Sequence, residues 1–267
     1  MDVLPIIPAE VLAPSDNPTT SGFRAHLSAV YALTQTSPHL FASPLGPFTC
    51  GRESAYMPRF VFFGPECPRE SWRLAFLAGL DHRDMRGSRV VLALIELLGQ
   101  MAEAAHGLHA SFFPIVDVAG LFFGAPHRAL GAYHWGRNQL PELSLLEKDA
   151  RLHGYQGFVR IETGEPGDDV AVVQINGSPF NPLDPDLEIV TSEDGETMPV
   201  RFEAGLGAHA AVAGPLTVAD DLPHPTFELI LKLPGTWTMV RCQQAAARFL
   251  LRFLWRYRAF QAYGQHL

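Results

Sequence analysis

The sequence predicts an α/β fold, a three-layer sandwich with a mixed β-sheet between helices. Three observations predict it. Short apolar runs of strand length alternate along the chain with longer segments of helical period. One junction shows the pattern at its sharpest: Arg73 to Leu80 (RLAFLAGL) reads as a buried strand. It runs through Asp81-His-Arg-Asp-Met-Arg-Gly87 into a helix over Ser88–Ala105, with Val90, Val91, Leu94, Ile95, Leu97, Leu98 and Met101 at helical spacing. The composition, 47% hydrophobic and 18% charged over 267 residues, suits one large buried core.

Taken in order, residues 1–20 are rich in Pro, Ser, Thr and Asp and read as an irregular segment, with a single domain over 21–267. Gly22–Thr34 has an apolar face of Phe23, Leu27, Val30 and Tyr31 and reads as a helix. His39–Phe48 and Arg59–Phe63 read as strands, followed by the strand and helix of the central junction. Ala110–Val116 (ASFFPIV) is a further strand, in which Pro114 marks an edge position or the strand's end. Residues 119–140 read as a loop. Pro141–His153 has Pro at a first turn and Leu143, Leu146 and Ala150 on one face, a helix signature. Gly157–Ile161 and Val170–Ile175 are apolar strands, and 177–225, with its recurring Pro, Gly and acidic residues, reads as mostly loop. Phe227–Leu233 alternates as a strand does, and Trp237–Tyr263 is a closing amphipathic helix.

A net charge of −8 argues against a nucleic-acid partner. No apolar run reaches the roughly 20 residues of a membrane span, and FLLRFLWRYRAF is interrupted by Arg252, Arg256 and Arg258. The N-terminus lacks the basic region and continuous apolar core of a signal peptide. Cys50, Cys67 and Cys242 are far apart, without metal-site spacing, and fit a reducing cytoplasm. The expected location is therefore cytoplasmic. The C-terminal helix leaves a homo-oligomer contact open. No serine-nucleophile elbow, dinucleotide fingerprint or phosphate loop is present.

In an open α/β sheet, ligands bind at the carboxyl ends of strands. The turn after Leu80 places Asp81 and Asp84 there, with His82, Arg83 and Arg86 around them. By residue type and spacing alone, two aspartates in such a turn read first as turn and helix-cap residues. Glu162 at a strand end reads by itself as a solvated carboxylate, and Lys232 on an alternating strand as a solvent-facing lysine, with Glu228 on the same face.

The junction Gly79-Leu-Asp-His-Arg-Asp-Met resembles the strand–turn–helix of zinc carboxypeptidases and their desuccinylase and aspartoacylase relatives. There a His-x-x-Glu turn supplies the first zinc ligands. Pro114-Ile-Val-Asp-Val-Ala-Gly120, Pro141-Glu-Leu-Ser-Leu-Leu, Gly157-Phe-Val-Arg-Ile-Glu-Thr and Phe227-Glu-Leu-Ile-Leu-Lys-Leu-Pro234 are similar to that family's further landmarks, in the same order. The resemblance implies a carboxypeptidase-like α/β fold. It places Asp81, Asp84 and Glu162 at the three metal-ligand positions and Lys232 at the catalytic Glu position. It also places Asp117, with the reversed pair Arg137-Asn138, in the substrate-binding loop, and a one-residue shift makes His82 an alternative ligand.

A zinc peptidase needs imidazole and carboxylate ligands, an open position for water and a carboxylate base. Three carboxylates and a lysine are a different chemistry. Two unit charges about 5 Å apart at an effective dielectric near 20 repel by roughly 3 kcal/mol, so converging carboxylates need a cation or protons. Lys232 is the expected internal cation, which makes a bound cofactor unnecessary. The expected function is a carboxypeptidase-like protein with a degenerate zinc site, catalytically inactive, binding a small amino-acid-like or peptide ligand. The alternative is an active metal-dependent hydrolase, a metallocarboxypeptidase or deacylase, holding zinc or another divalent metal at a non-standard site through His82 or through the carboxylates. His127, His134 and His153 lie in or beside the same loop and helix.

Overall fold

A computed structural model describes residues 18–66, 72–126, 130, 140–176, 189–191, 197–204 and 227–264. Its centre is a nine-stranded sheet. The strands are β1 (Leu40–Ala42), β2 (Leu45–Cys50), β3 (Glu53–Met57), β4 (Phe60–Phe63), β5 (Trp72–Leu77), β6 (Leu108–Phe113), β7 (Gly157–Thr163), β8 (Ala171–Asn176), β9 (Ile189–Thr191), β10 (Thr197–Ala204) and β11 (Phe227–Leu233). The helices are α1 (Pro18–Leu33), α2 (Met85–Gln100), α3 (Val118–Phe123), α4 (Pro141–His153) and α5 (Met239–Gly264). Sheet order is β1-β4-β6-β5-β7-β11-β8-β10-β9, with β2 and β3 forming a separate hairpin. The four central strands β6, β5, β7 and β11 run parallel, and antiparallel pairings with β4 and β8 flank them. The expected mixed α/β sheet is therefore present.

Parallel strands put their carboxyl ends on one edge. Gly79–Asp84, Asp117, Glu162 and Lys232 thus share that edge of the sheet. Side chains alternate between the two faces of a strand. One face carries Phe76, Phe112, Val159, Ile161 and Leu231, all buried, beneath α2 and α5. Phe76 stacks on Phe112 at 4.9 Å between ring centroids, and Phe227 meets Phe253 and Tyr257 of α5. Burying each such side chain stabilises the fold by about 1.5–3 kcal/mol. The opposite face carries Ser111, His109, Phe158 and Arg160, with α4 packed over part of it through Asp149, His153 and the following Tyr155.

Several boundaries differ from expectation. Helix α1 begins at Pro18, inside the segment read as irregular. Helix α2 begins at Met85, because Asp84 caps it. The helix expected to reach Ala105 ends at Gln100, and a separate 3-10 turn spans Ala102–Ala105. Strand β6 runs Leu108–Phe113 in the sheet interior, so of the two readings of Pro114 the strand's end holds and the edge position does not. Helix α3 takes up the start of the expected 119–140 loop, and β3, β9 and β10 are strands that the sequence reading did not distinguish. Cys50 and Cys242 are free thiols, and Cys67 lies outside the described residues. No helix among the described residues is long and apolar enough to cross a membrane.

Candidate functional site

The edge is built from the turn outward. Gly79, at φ 61°, lets β5 leave the sheet where a Cβ would press on Ser88 and Ile115. Its carbonyl accepts the Asp117 amide at 2.8 Å, which ties the β5 turn to the β6 turn. Asp81 folds back on its own loop: Oδ1 accepts from the Arg83 amide at 3.0 Å and Nε at 3.1 Å, and Oδ2 from Nη2 at 2.9 Å. The Arg83 side chain is 61% exposed, so the pair is a surface ion pair.

Asp84 is an N-cap. Its Oδ1 accepts from the Arg86 amide at 3.2 Å and from the Thr163 hydroxyl at 2.5 Å, while Oδ2 accepts from the Thr163 amide at 2.8 Å. It therefore clamps the start of α2 to the end of β7. Arg86 is directed elsewhere, donating to the Pro234 and Trp237 carbonyls at 3.0 and 2.8 Å.

Asp117 is fully buried and caps α3 through the Gly120 amide. Its Oδ2 also receives the His82 amide at 3.3 Å and lies 2.7 Å from His82 Nδ1. His82 is thus oriented by a carboxylate at one ring nitrogen. Arg137 and Asn138, named with Asp117 as substrate-binding residues, lie outside the described residues, as do His127 and His134.

Glu162 and Lys232 face each other in register across β7 and β11. Glu162 pairs with Arg160 instead, Oε1 lying 2.8 Å from Nε, and Arg160 Nη1 lies 3.6 Å from Glu228 Oε1. Neither contact has the geometry of a hydrogen bond, so both are ion pairs only. Lys232 forms no ion pair among the described residues. It contributes at longer range to keeping the Glu203 carboxyl below its ordinary range, after the hydrogen bonds from Gln174 and Arg201.

The structure brings Glu162 and Lys232 together and separates Asp84 from them. Thr163, which holds Asp84, follows Glu162 in β7 and so points to the opposite face. The cation ion-paired with Glu162 is Arg160, while Lys232 stands next to Glu162 in register. Arg160 was missed in the sequence. The signal was there in a charged residue inside GFVRIET, two positions before Glu162 and hence on its face.

A comparison of the sequence with protein-family models and with curated proteins found no match. Solved structures do match. A metallo-carboxypeptidase from Burkholderia cenocepacia superposes with TM-score 0.62 at 18% identity, over 88% of this chain and 68% of that one. A metallo-carboxypeptidase from Pseudomonas aeruginosa, in complex with (2-guanidinoethylmercapto)succinic acid, superposes with TM-score 0.57 at 14% identity, over 85% and 67%. The fold is that of the metallo-carboxypeptidases. The matched proteins are named metallo-carboxypeptidases, and the donors at this edge of the present chain bear on whether a metal ion fits here. The described residues contain no group of three His, Cys, Asp or Glu placed to hold a metal ion. Asp81 is enclosed by Arg83, Asp84 is taken up by two amides and a hydroxyl, and Glu162 by Arg160. These donors do not fit a zinc ion, which needs converging, deprotonated and otherwise uncommitted ligands.

Proposed function

We propose that this chain is a ligand-binding protein built on the metallo-carboxypeptidase fold, catalytically inactive as a zinc peptidase, with an amino-acid-like or peptide ligand. The observation that carries this reading is the commitment of all three carboxylates at the resemblance-implied ligand positions to partners of the chain itself. Asp81 takes Arg83, Asp84 takes Thr163, and Glu162 takes Arg160. The lysine at the catalytic Glu position supports it further, since an ammonium does not serve as a carboxylate base toward water.

A second reading, a metal-dependent hydrolase, has one specific observation in its favour. His82, next to Asp81, is oriented by buried Asp117 in the manner of a carboxylate-supported histidine ligand.

Zinc titration of the purified, chelator-treated protein, followed by assays with acylated amino acids and C-terminal dipeptides, separates the two. The proposal expects no stoichiometric zinc and no turnover above blank. One zinc per chain with turnover, both abolished by His82→Ala, would establish the second reading instead.

A further inference from the structure

A second polar cluster lies at the amino end of the central strands, beneath α4. His109 begins it on β6, in register with Arg73 of β5 and Phe63 of β4. Its ring lies 4.5 Å from that of Phe63 and 6.1 Å from that of His153, in the last turn of α4. Arg59, just before β4, pairs with Asp149 of α4 and lies 3.2 Å from His153 Nε2. Asp149 also accepts at 2.7 Å from the Tyr155 hydroxyl, which burial keeps protonated. Arg73 Nη1 donates to the His153 carbonyl at 2.7 Å, a favourable place for a cation at a helix carboxyl end.

This is a poor place for one more positive charge. Arg59 and Arg73 are permanent cations. Asp149 is the one carboxylate among the charged groups that act most strongly on His109, and Arg59 and Tyr155 already engage it. His109 itself is only 7% exposed, and its Nε2 has no hydrogen-bond partner among the described residues. An imidazolium there would be a buried charge with no acceptor at Nε2. Burial first, then His153, Arg73 and Arg59, push the imidazole down to about 4, against the pull of Asp149.

The element that such a charge would dislodge is α4. Its buried apolar residues are Leu143, Leu146 and Ala150, and its N-cap, Leu140, makes no side-chain cap bond. Helix α2, by contrast, buries Val90, Val91, Leu92, Leu94, Ile95 and Leu98. Much of the hold of α4 on the sheet is therefore polar, through Asp149 to Arg59 and the His153 carbonyl to Arg73, both beside His109. Few buried apolar contacts put an element at the low end of local stability.

We propose that α4 is a pH-operated latch: with His109 neutral it docks on the sheet, and a proton on His109 lifts it away while the central strands stay folded. Linkage gives the direction. A histidine freed from the cluster takes its proton near 6.5 and the docked one near 4, so the latch is fully held above about 6.5 and loses its hold as pH falls toward 4. Between pH 7 and pH 5 those two values make opening about twentyfold more favourable.

Hydrogen exchange of the full chain at pH 7 and pH 5, corrected for the intrinsic exchange rates, tests this. At pH 5 the amides of residues 141–154 should be at least about tenfold less protected than those of β7 and β11, which shows opening short of unfolding. Their protection should fall about twentyfold from pH 7 to pH 5 in wild type, and less than about threefold in His109→Phe, which keeps an aromatic ring against Phe63. His109→Gln, also without a titrating ring, takes its place if the Phe variant does not fold. Equal protection of α4 and the central strands overturns the latch, because the helix would then leave only on global unfolding. Protection of α4 that ignores pH overturns it as well. So does an equal fall in the His109 variant, which would assign the proton to another group.

Discussion

Lys232 and Glu162 are direct neighbours in the parallel register of β11 and β7, yet Glu162 takes its ion pair from Arg160 in its own strand. The cation that stabilises the buried carboxylates is therefore Arg160, which lies between Glu162 and Glu228. Arg160→Met removes one side of a buried pair and leaves the other uncompensated, a loss of about 3–5 kcal/mol. Lys232→Met breaks no such pair and should stay within about 1 kcal/mol of wild type. Urea unfolding of both variants checks the contrast, and equal losses would return the role to Lys232. Adding Glu228→Gln to Arg160→Met should recover part of the loss through coupling.

Asp84 joins two elements, so its removal should cost more than a helix cap alone. Asp84→Ala forfeits the cap of α2, about 1 kcal/mol, and leaves the Thr163 amide and hydroxyl without their acceptor, about 1 kcal/mol more. A total near 2 kcal/mol in the unfolding free energy is expected, with Asp84→Asn milder. A loss under about 0.5 kcal/mol would mean that the clamp to β7 contributes nothing.

How far the sequence disclosed this architecture depends on how local the signals are. The bounds of α4 and β11 coincide with the reading, because a first-turn proline and strict alternation mark them within their own residues. Strand β10 was hidden by Pro199 and the Pro- and Gly-rich stretch around it; its pairing with β8 is a long-range fact. Strand β3, polar at Glu53 and Ser54, is held by its hairpin partner β2, a pairing that no periodicity encodes. At the site, the Asp84 cap was legible as an Asp before a helical run. The Arg160–Glu162 pair left only a charged residue two positions before Glu162, a signal that gains meaning once that face of β7 is known to be buried.

Away from this edge, α4 is fastened to the sheet by a second polar group. Asp149 accepts from the Tyr155 hydroxyl at 2.7 Å and pairs with Arg59, and His153 lies beside both. Above them His109 is buried, with its ring 4.5 Å from Phe63 and 6.1 Å from His153. Burial pushes the His109 imidazole down to about 4, helped by His153, Arg73 and Arg59 and opposed by Asp149. An unfolded histidine takes its proton near 6.5. Between those values the unfolded chain binds the extra proton, so stability falls as pH drops from about 6.5 toward 4. Denaturant midpoints measured across that window should decline in wild type and decline less in His109→Leu. Parallel slopes would show that His109 is not the group responsible.

The orientation of His82 depends on the packing around Gly120. Gly120, in the first turn of α3, lies against both partners of the His82–Asp117 pair, and a Cβ there would fall inside van der Waals contact of His82 Nδ1 and Asp117 Oδ2. Both are hydrogen-bonded and Asp117 is fully buried, so neither retreats without breaking the 2.7 Å contact. Gly120→Ala should therefore destabilise the fold by about 1–3 kcal/mol, the cost of overpacking or of an orphaned buried carboxylate. Asp117→Asn tests the same contact without adding volume. It keeps an acceptor for the Gly120 amide but weakens the hold on the imidazole. The nuclear magnetic resonance shifts of the His82 ring should then move, with a smaller change in unfolding free energy than in Gly120→Ala. If Gly120→Ala melts like wild type and the His82 resonances stay put, the turn has room to shift, and the pair does not fix the orientation of His82.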